Sequence, residues 1–185
     1  MPSPWTREDT RPVFKDRWIS LRADRCRRPD GTLIEPYYVI EDPDFVHTIP
    51  VLPDGRLVLV SQYRHAVNDV CLELPGGVLD PGEEPIAGAR RELREETGVT
   101  GGAWTFLHRY YPNPARNANR FHLFVARNVS LPARQSLDPT EDIAVHLCTV
   151  AEVDEAIRAG RFSQAFHLAA YLLWRTGVVP ETPVA

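Results

Sequence analysis

Between residues 77 and 99 the chain reads GVLDPGEEPIAGARRELREETGV, and this stretch concentrates most of its usable chemistry. Gly77, Glu83, Arg91, Glu92, Glu95, Glu96 and Gly98 fall at the spacing G-x5-E-x7-R-E-L-x-E-E-x-G-V. Asp80-Pro81-Gly82 is a turn signal, and Glu83, Glu84 and Pro85 read as the first turn of a helix, where acids meet the positive end of the helix dipole. The residues from Pro85 to about Thr97 favour helix, and Gly98 stands at the C-terminal stop. Ile86, Ala89, Leu93 and Thr97 form an apolar stripe. Glu92, Glu95 and Glu96 are related as i, i+3 and i+4 and share a neighbouring face. Three carboxylates that close repel one another unless a cation neutralises them, and oxygen-only donors favour hard Mg²⁺ or Mn²⁺ over Zn²⁺. RRELREE alone also reads as a solvated face with an Arg91–Glu95 ion pair. Its combination with Gly77, Glu83 and Gly98 favours the metal reading.

The stretch resembles, without gap or substitution, the signature of the Nudix hydrolases. The resemblance implies a Mg²⁺- or Mn²⁺-dependent enzyme that cleaves a nucleoside diphosphate linked to a second group. It assigns Glu92, Glu95 and Glu96 to metal binding, with the carbonyl of Gly76 as a further ligand. It pairs Glu83 with Arg91 as a brace for the catalytic loop, with Glu83 also within reach of a metal. Glu95, Glu96 and Arg91 thus belong to the catalytic set it implies.

Other blocks narrow the branch. Gln62-Tyr63-Arg64, followed by Glu73-Leu74-Pro75, is similar to the ADP-ribose pyrophosphatase branch and its nucleotide-sugar relatives. That similarity implies a homodimer acting on a nucleoside diphosphate sugar, with ADP-ribose foremost and GDP-mannose as the alternative. Arg64 is then a diphosphate contact, as guanidinium binds phosphate oxygens bidentately. Tyr63 and Trp18 could stack on a base. The branch carries a proline where Pro114 stands, sixteen residues after Gly98, and Arg116 and Asn117 follow it as further substrate-binding candidates. The usual S-P-G there becomes Asn113-Pro114-Ala115, a departure that points to altered substrate preference. Related enzymes place a glutamate base on an acidic loop. Here Arg127–Asp142 ends Asp138-Pro139-Thr140-Glu141-Asp142, which makes Glu141 the candidate, then Asp142 and Asp138. A ligand-binding regulator that kept the fold without catalysis is the reading of another class.

The elements that must position these residues follow from local patterns. Strands are expected at Arg17–Ala23, Glu35–Glu41, Phe45–Leu52, Arg56–Gln62, Val70–Leu74, Ala103–Tyr110, Arg120–Ala126 and Ile143–Thr149, with turns at Pro29-Asp30-Gly31 and Pro53-Asp54-Gly55. Helices are expected at Ala151–Ala159 and Ser163–Arg175 in addition to the one in the box. This order fits an α/β/α sandwich with a mixed sheet, preceded by an antiparallel β extension. The expected division is 1–44 for the extension, contributing to the dimer, and 45–185 for the catalytic domain. With 185 residues, 43% apolar and 25% charged, the chain is ordinary globular material. A net charge of −4 argues against broad nucleic-acid binding, and no apolar run has membrane-spanning length. Cys26, Cys71 and Cys148 are odd in number and widely spaced, as expected of reduced thiols in a cytoplasmic protein. The six histidines are not spaced like a metal cluster and receive no role.

Overall fold

The computed structural model describes residues 1–131 and 133–184. It divides into two units, Met1–Asp44 with Tyr111–Arg120, and Phe45–Tyr110 with Phe121–Ala185. In the first unit, β1 (Thr6–Lys15), β2 (Ser20–Arg27) and β3 (Leu33–Ile40) form an antiparallel sheet in that order. Asp16 closes the first turn by accepting the Trp18 and Ile19 amides at 2.7 and 2.9 Å. β2 and β3 are the two strands expected from the sequence. β1 is not, because TREDTRPVFK has no period of two and every residue in it is exposed. Pairing with β2, from Thr6↔Arg27 to Lys15↔Ser20, supplies the order that local pattern lacks.

The second unit runs β4 (Phe45–Val51), β5 (Leu57–Arg64), β6 (Asp69–Glu73), β7 (Gly76–Val78), α1 (Pro85–Thr97), β8 (Ala103–Tyr110), β9 (Phe121–Arg127), β10 (Ile143–Cys148), α2 (Val150–Arg158), α3 (Ala165–Thr176) and β11 (Thr182–Pro183). Its sheet is ordered β10-β5-β4-β9-β8-β11, with β6 also on β5 and β7 also on β4. β4 and β9 are parallel and the other pairs antiparallel, so the sheet is mixed, as expected. Ala89 and Leu93 of α1 pack on one face with Val46, Val58 and Phe124. Val153, Ala156, Ala170 and Tyr171 of α2 and α3 pack on the other with Ile49, Leu57, Leu59 and Leu123. Among the described residues no helix is long and apolar enough to cross a membrane.

The feature that matters for chemistry is a split in this sheet. β4 pairs with β5 only at Val51↔Leu57, beside the turn at Gly55. Beyond that point the two strands part, β5 taking β6 and β4 taking β7. Leu74 and Pro75 thread the opening, and the Thr48 amide donates to the Pro75 carbonyl at 3.0 Å.

Candidate active site

Pro85 opens α1 as the first helical residue after Glu84, and Gly98 ends it in the left-handed conformation with φ 72°, its amide donating to the Arg94 carbonyl. Glu83 and Glu84 therefore precede the helix and are not in its first turn, and the expectation of acids at the dipole is corrected. The Asp80-Pro81-Gly82 turn takes Glu83 elsewhere. Its amide donates to the Asp80 carbonyl at 3.0 Å. Its carboxylate lies along α1, where a Cβ on Gly88 would come within 2.9 Å of Oε2.

There Glu83 meets Arg91, whose Nε and Nη2 donate to its two oxygens at 3.0 and 2.9 Å. This bond to Arg91 holds the Glu83 carboxyl below its ordinary range. Arg91 also donates to the Val78 carbonyl (3.1 Å), to Glu92 (2.8 Å) and to Glu95 (3.3 Å). One guanidinium thus ties the loop before α1 to the helix and partly neutralises three acids. The brace and the i,i+4 pair coexist.

Glu96 is buried and accepts the Gly76 amide at 2.7 Å. Burial, reinforced by the charges of Glu92, Glu141 and Glu73, pushes its carboxyl up to about 8. Burial also raises Glu92, with Glu95 and Glu141 adding to the effect while Arg91 opposes it. One glycine makes room for Glu92, and another lets the turn before the helix pass close to β4. A Cβ on Gly77 would lie 2.7 Å from the Glu92 carboxylate. Gly76 has φ +148°, and a Cβ there would lie 2.1 Å from the Val46 carbonyl oxygen.

The loop before β10 closes over the end of α1. The Ser136 amide donates to the Glu95 carbonyl (2.8 Å), and Gln135 Nε2 donates to the carbonyls of Glu96 (2.6 Å) and Ile143 (3.0 Å). A helix leaves its last carbonyls without partners, and this loop supplies them. Sequence reading missed Gln135 and Ser136. Glu141 stays at the exposed turn, where it accepts the Asp138 amide at 2.9 Å, and its charge reaches both Glu92 and Glu96.

Arg64 comes from β5 and is gripped by Glu73 of β6, to whose carboxylate it donates through Nε at 2.8 Å and through Nη2. The arginine is partly exposed, while Glu73 is buried, so the pair is no ordinary surface bridge. Tyr63, one residue earlier, lies on the other face of the strand, is exposed, and donates to Asn68 at 2.8 Å. The alternation separates it from Arg64. Pro114, Arg116 and Asn117 lie in the first unit and line a groove of about 340 Å³ with Arg22, Tyr37 and Tyr111. There Asn117 donates to Asp42 at 2.5 Å, and Tyr37 donates to the Ala115 carbonyl at 2.8 Å.

The donors on the α1 face are all carboxylate oxygens, which suits a hard divalent cation. Among the described residues no three His, Cys, Asp or Glu side chains converge as a ready-made cage. Glu92 and Glu95 are instead drawn to Arg91, which offsets their repulsion. The donor set fits Mg²⁺ or Mn²⁺ on condition that these two acids turn from the arginine toward the metal.

Residues 42–166 match the NUDIX domain, and residues 5–40 match the nucleoside diphosphate sugar hydrolase N-terminal domain. The ADP-ribose pyrophosphatase of Bacillus subtilis is 30% identical over 141 residues, 76% of each chain. The methanol dehydrogenase activator of Bacillus methanolicus is 29% identical over 153 residues, 82% of each chain. A crystal structure of an ADP compounds hydrolase superposes with TM-score 0.84 at 21% identity, covering 96% of each chain, and shows the same fold.

Proposed function

The chain belongs to the Nudix family as a pyrophosphohydrolase, and from that premise we propose that it hydrolyses the diphosphate of a nucleoside diphosphate sugar. ADP-ribose, giving AMP and ribose 5-phosphate, is the foremost substrate. The observation that carries this reading is the acid cluster of Glu92 and Glu96 at the mouth of the split sheet. Burial raises both carboxyls, and the Glu92 charge adds to the rise at Glu96. The match of residues 5–40 to a nucleotide-sugar hydrolase domain supports the substrate class.

Glu92, Glu95, Glu96 and the Gly76 carbonyl would hold Mg²⁺, or Mn²⁺ in its place. When bound, the cation neutralises phosphoryl charge and lowers the pKa of the attacking water. Arg64, oriented by Glu73, donates to a diphosphate oxygen and strengthens that contact as charge develops in the transition state. Arg91 positions Glu92 and Glu95. Glu141 takes the proton of the attacking water as general base. Within the first unit, the groove of Pro114, Arg116 and Asn117 is read as a substrate-binding surface.

The protein is read as a cytoplasmic homodimer. Three free cysteines support the compartment. The fully exposed β1 and the exposed Trp5, Phe14, Trp18 and Leu33 support self-association, which sedimentation will test.

A second reading, hydrolysis of GDP-mannose or another nucleotide sugar, is favoured by Asn113 and Ala115 beside Pro114. A nucleotide-sugar panel with products identified by mass separates the two. Preference for ADP-ribose supports the first, and preference for another member makes the 111–120 segment the specificity element. Binding of panel members with no turnover would make the protein a regulator.

A further inference from the structure

Where β4 and β5 part, the strand segment through Leu74 loses the neighbour that would have accepted its amide. That amide is buried, and a buried donor without a partner is costly. His167 of α3 fills the role. Its Nδ1 accepts the Leu74 N–H at 2.9 Å. With its Nδ1 lone pair engaged, a neutral ring must carry its proton on Nε2, which lies 3.9 Å from Glu73 Oε2, beyond hydrogen-bond distance, and has no hydrogen-bond partner among the described residues. The ring is completely buried and cannot reorient freely. His47 stands perpendicular to it with centroids 4.4 Å apart, Phe166 lies at 4.9 Å and Phe162 at 6.3 Å. Glu73 in turn engages Nε and Nη2 of Arg64, which turns Nη1 away from that carboxylate.

We propose that His167 is a positioning residue for the diphosphate contact. It anchors Leu74 through Nδ1 and thereby fixes the backbone next to Glu73, so that Glu73 presents Arg64 in one orientation. The chain of contacts runs from α3 through the split in the sheet to the substrate arginine. This inference rests on the reading of Arg64 as a phosphate contact, and its test separates the two. Leu74 directly follows Glu73, so an anchor at its amide steadies the arginine's partner.

The test is steady-state kinetics with Mg²⁺ and ADP-ribose for Arg64→Ala, His167→Leu, His167→Asn and the Arg64→Ala/His167→Leu double variant. His167→Leu keeps bulk but removes the acceptor, and is expected to lower kcat/KM about 10- to 100-fold, with kcat falling as well as KM rising. His167→Asn places Oδ1 near the position of Nδ1 and is expected to recover most of that loss. In the Arg64→Ala background His167→Leu should cost less than about twofold, because the group it acts through is gone. If the two losses multiply instead, His167 acts independently of Arg64 and the inference is overturned while the Arg64 reading stands. If Arg64→Ala alone changes nothing, the Arg64 reading fails and takes the inference with it. Equal impairment of the Leu and Asn variants overturns the inference as well. ¹⁵N spectroscopy of the His167 ring in the unaltered protein gives a check that needs no variant. A bare Nδ1 and a protonated Nε2 support the inference, and the opposite tautomer overturns it.

Discussion

Replacing Glu96 with glutamine should stabilise the metal-free protein at neutral pH while removing its activity. Glu96 is 4% exposed, and its carboxyl is raised from 4.5 to about 8. For a group whose folded pKa lies above its unfolded value, the stabilisation is complete below pH 4.5 and is lost as pH rises through 8. At pH 7 most of that loss has occurred and amounts to about 3 kcal/mol. At pH 5 it is under about 1 kcal/mol. Glutamine carries no charge, keeps the volume, and still offers an oxygen to the Gly76 amide now bound at 2.7 Å. In EDTA, Glu96→Gln should therefore exceed the parent by roughly 2–3 kcal/mol at pH 7 and by little at pH 5, read by urea unfolding. For a chain of this size the gain corresponds to roughly 5–10 °C in Tm. Saturating Mg²⁺ should raise the stability of the parent by about 2.7 kcal/mol at one hundred times Kd, and that of the variant much less. A variant less stable than the parent at pH 7, or a difference that does not change with pH, would refute the electrostatic reasoning.

Three other perturbations follow from the same geometry. Glu141→Gln should lower kcat by about 10²–10⁴ with little change in KM or in calorimetric Mg²⁺ affinity, whereas equal loss of metal binding would make Glu141 a ligand. His47, buried and lowered to about 3 by burial and then by the Arg64 charge, and His167, lowered by burial, His47 and Arg64, stay neutral in the folded state. Their contribution is complete above the unfolded value of 6.5 and is lost as pH falls, by about 2 kcal/mol for His47 between pH 7 and pH 5, and His167→Asn should make stability less sensitive to acid than in the parent over that window in urea titrations. Gly76→Ala should cost more than about 3 kcal/mol and most of the activity, since its Cβ would lie 2.1 Å from the Val46 carbonyl at φ +148°; thermal unfolding beside kcat reads both.

Local pattern carried the box almost completely. The i, i+3, i+4 acids, Pro85 at the start and Gly98 at the end are short-range signals, and α1 spans Pro85–Thr97 as expected. The sandwich and its mixed sheet were also readable, because apolar periodicity marks β4, β5, β8 and β9. β1 was hidden, since a strand exposed on both faces has no alternation to read. Glu73 was visible only as part of a family motif, and its grip on Arg64 depends on β5–β6 register. His167 gave less warning still. Its value comes from a split between strands about a hundred residues away in sequence, and nothing local in AFHLAAY records that. Tyr63 and Arg64 differ in this respect, because adjacent strand residues point to opposite faces and parity along β5 alone puts the two apart. Gln135 and Ser136 cap α1 from a loop without regular secondary structure, where spacing carries no signal.

Divalent-metal dependence of ADP-ribose hydrolysis tests the central claim most directly. AMP and ribose 5-phosphate released from ADP-ribose would be quantified by mass in EDTA and then across a Mg²⁺ titration. The expected result is no release in EDTA and saturable release with Mg²⁺, absent in Glu96→Gln. Release that persists in EDTA, or a Glu96→Gln variant as active as its parent, would contradict the assignment of the acid cluster to a catalytic metal.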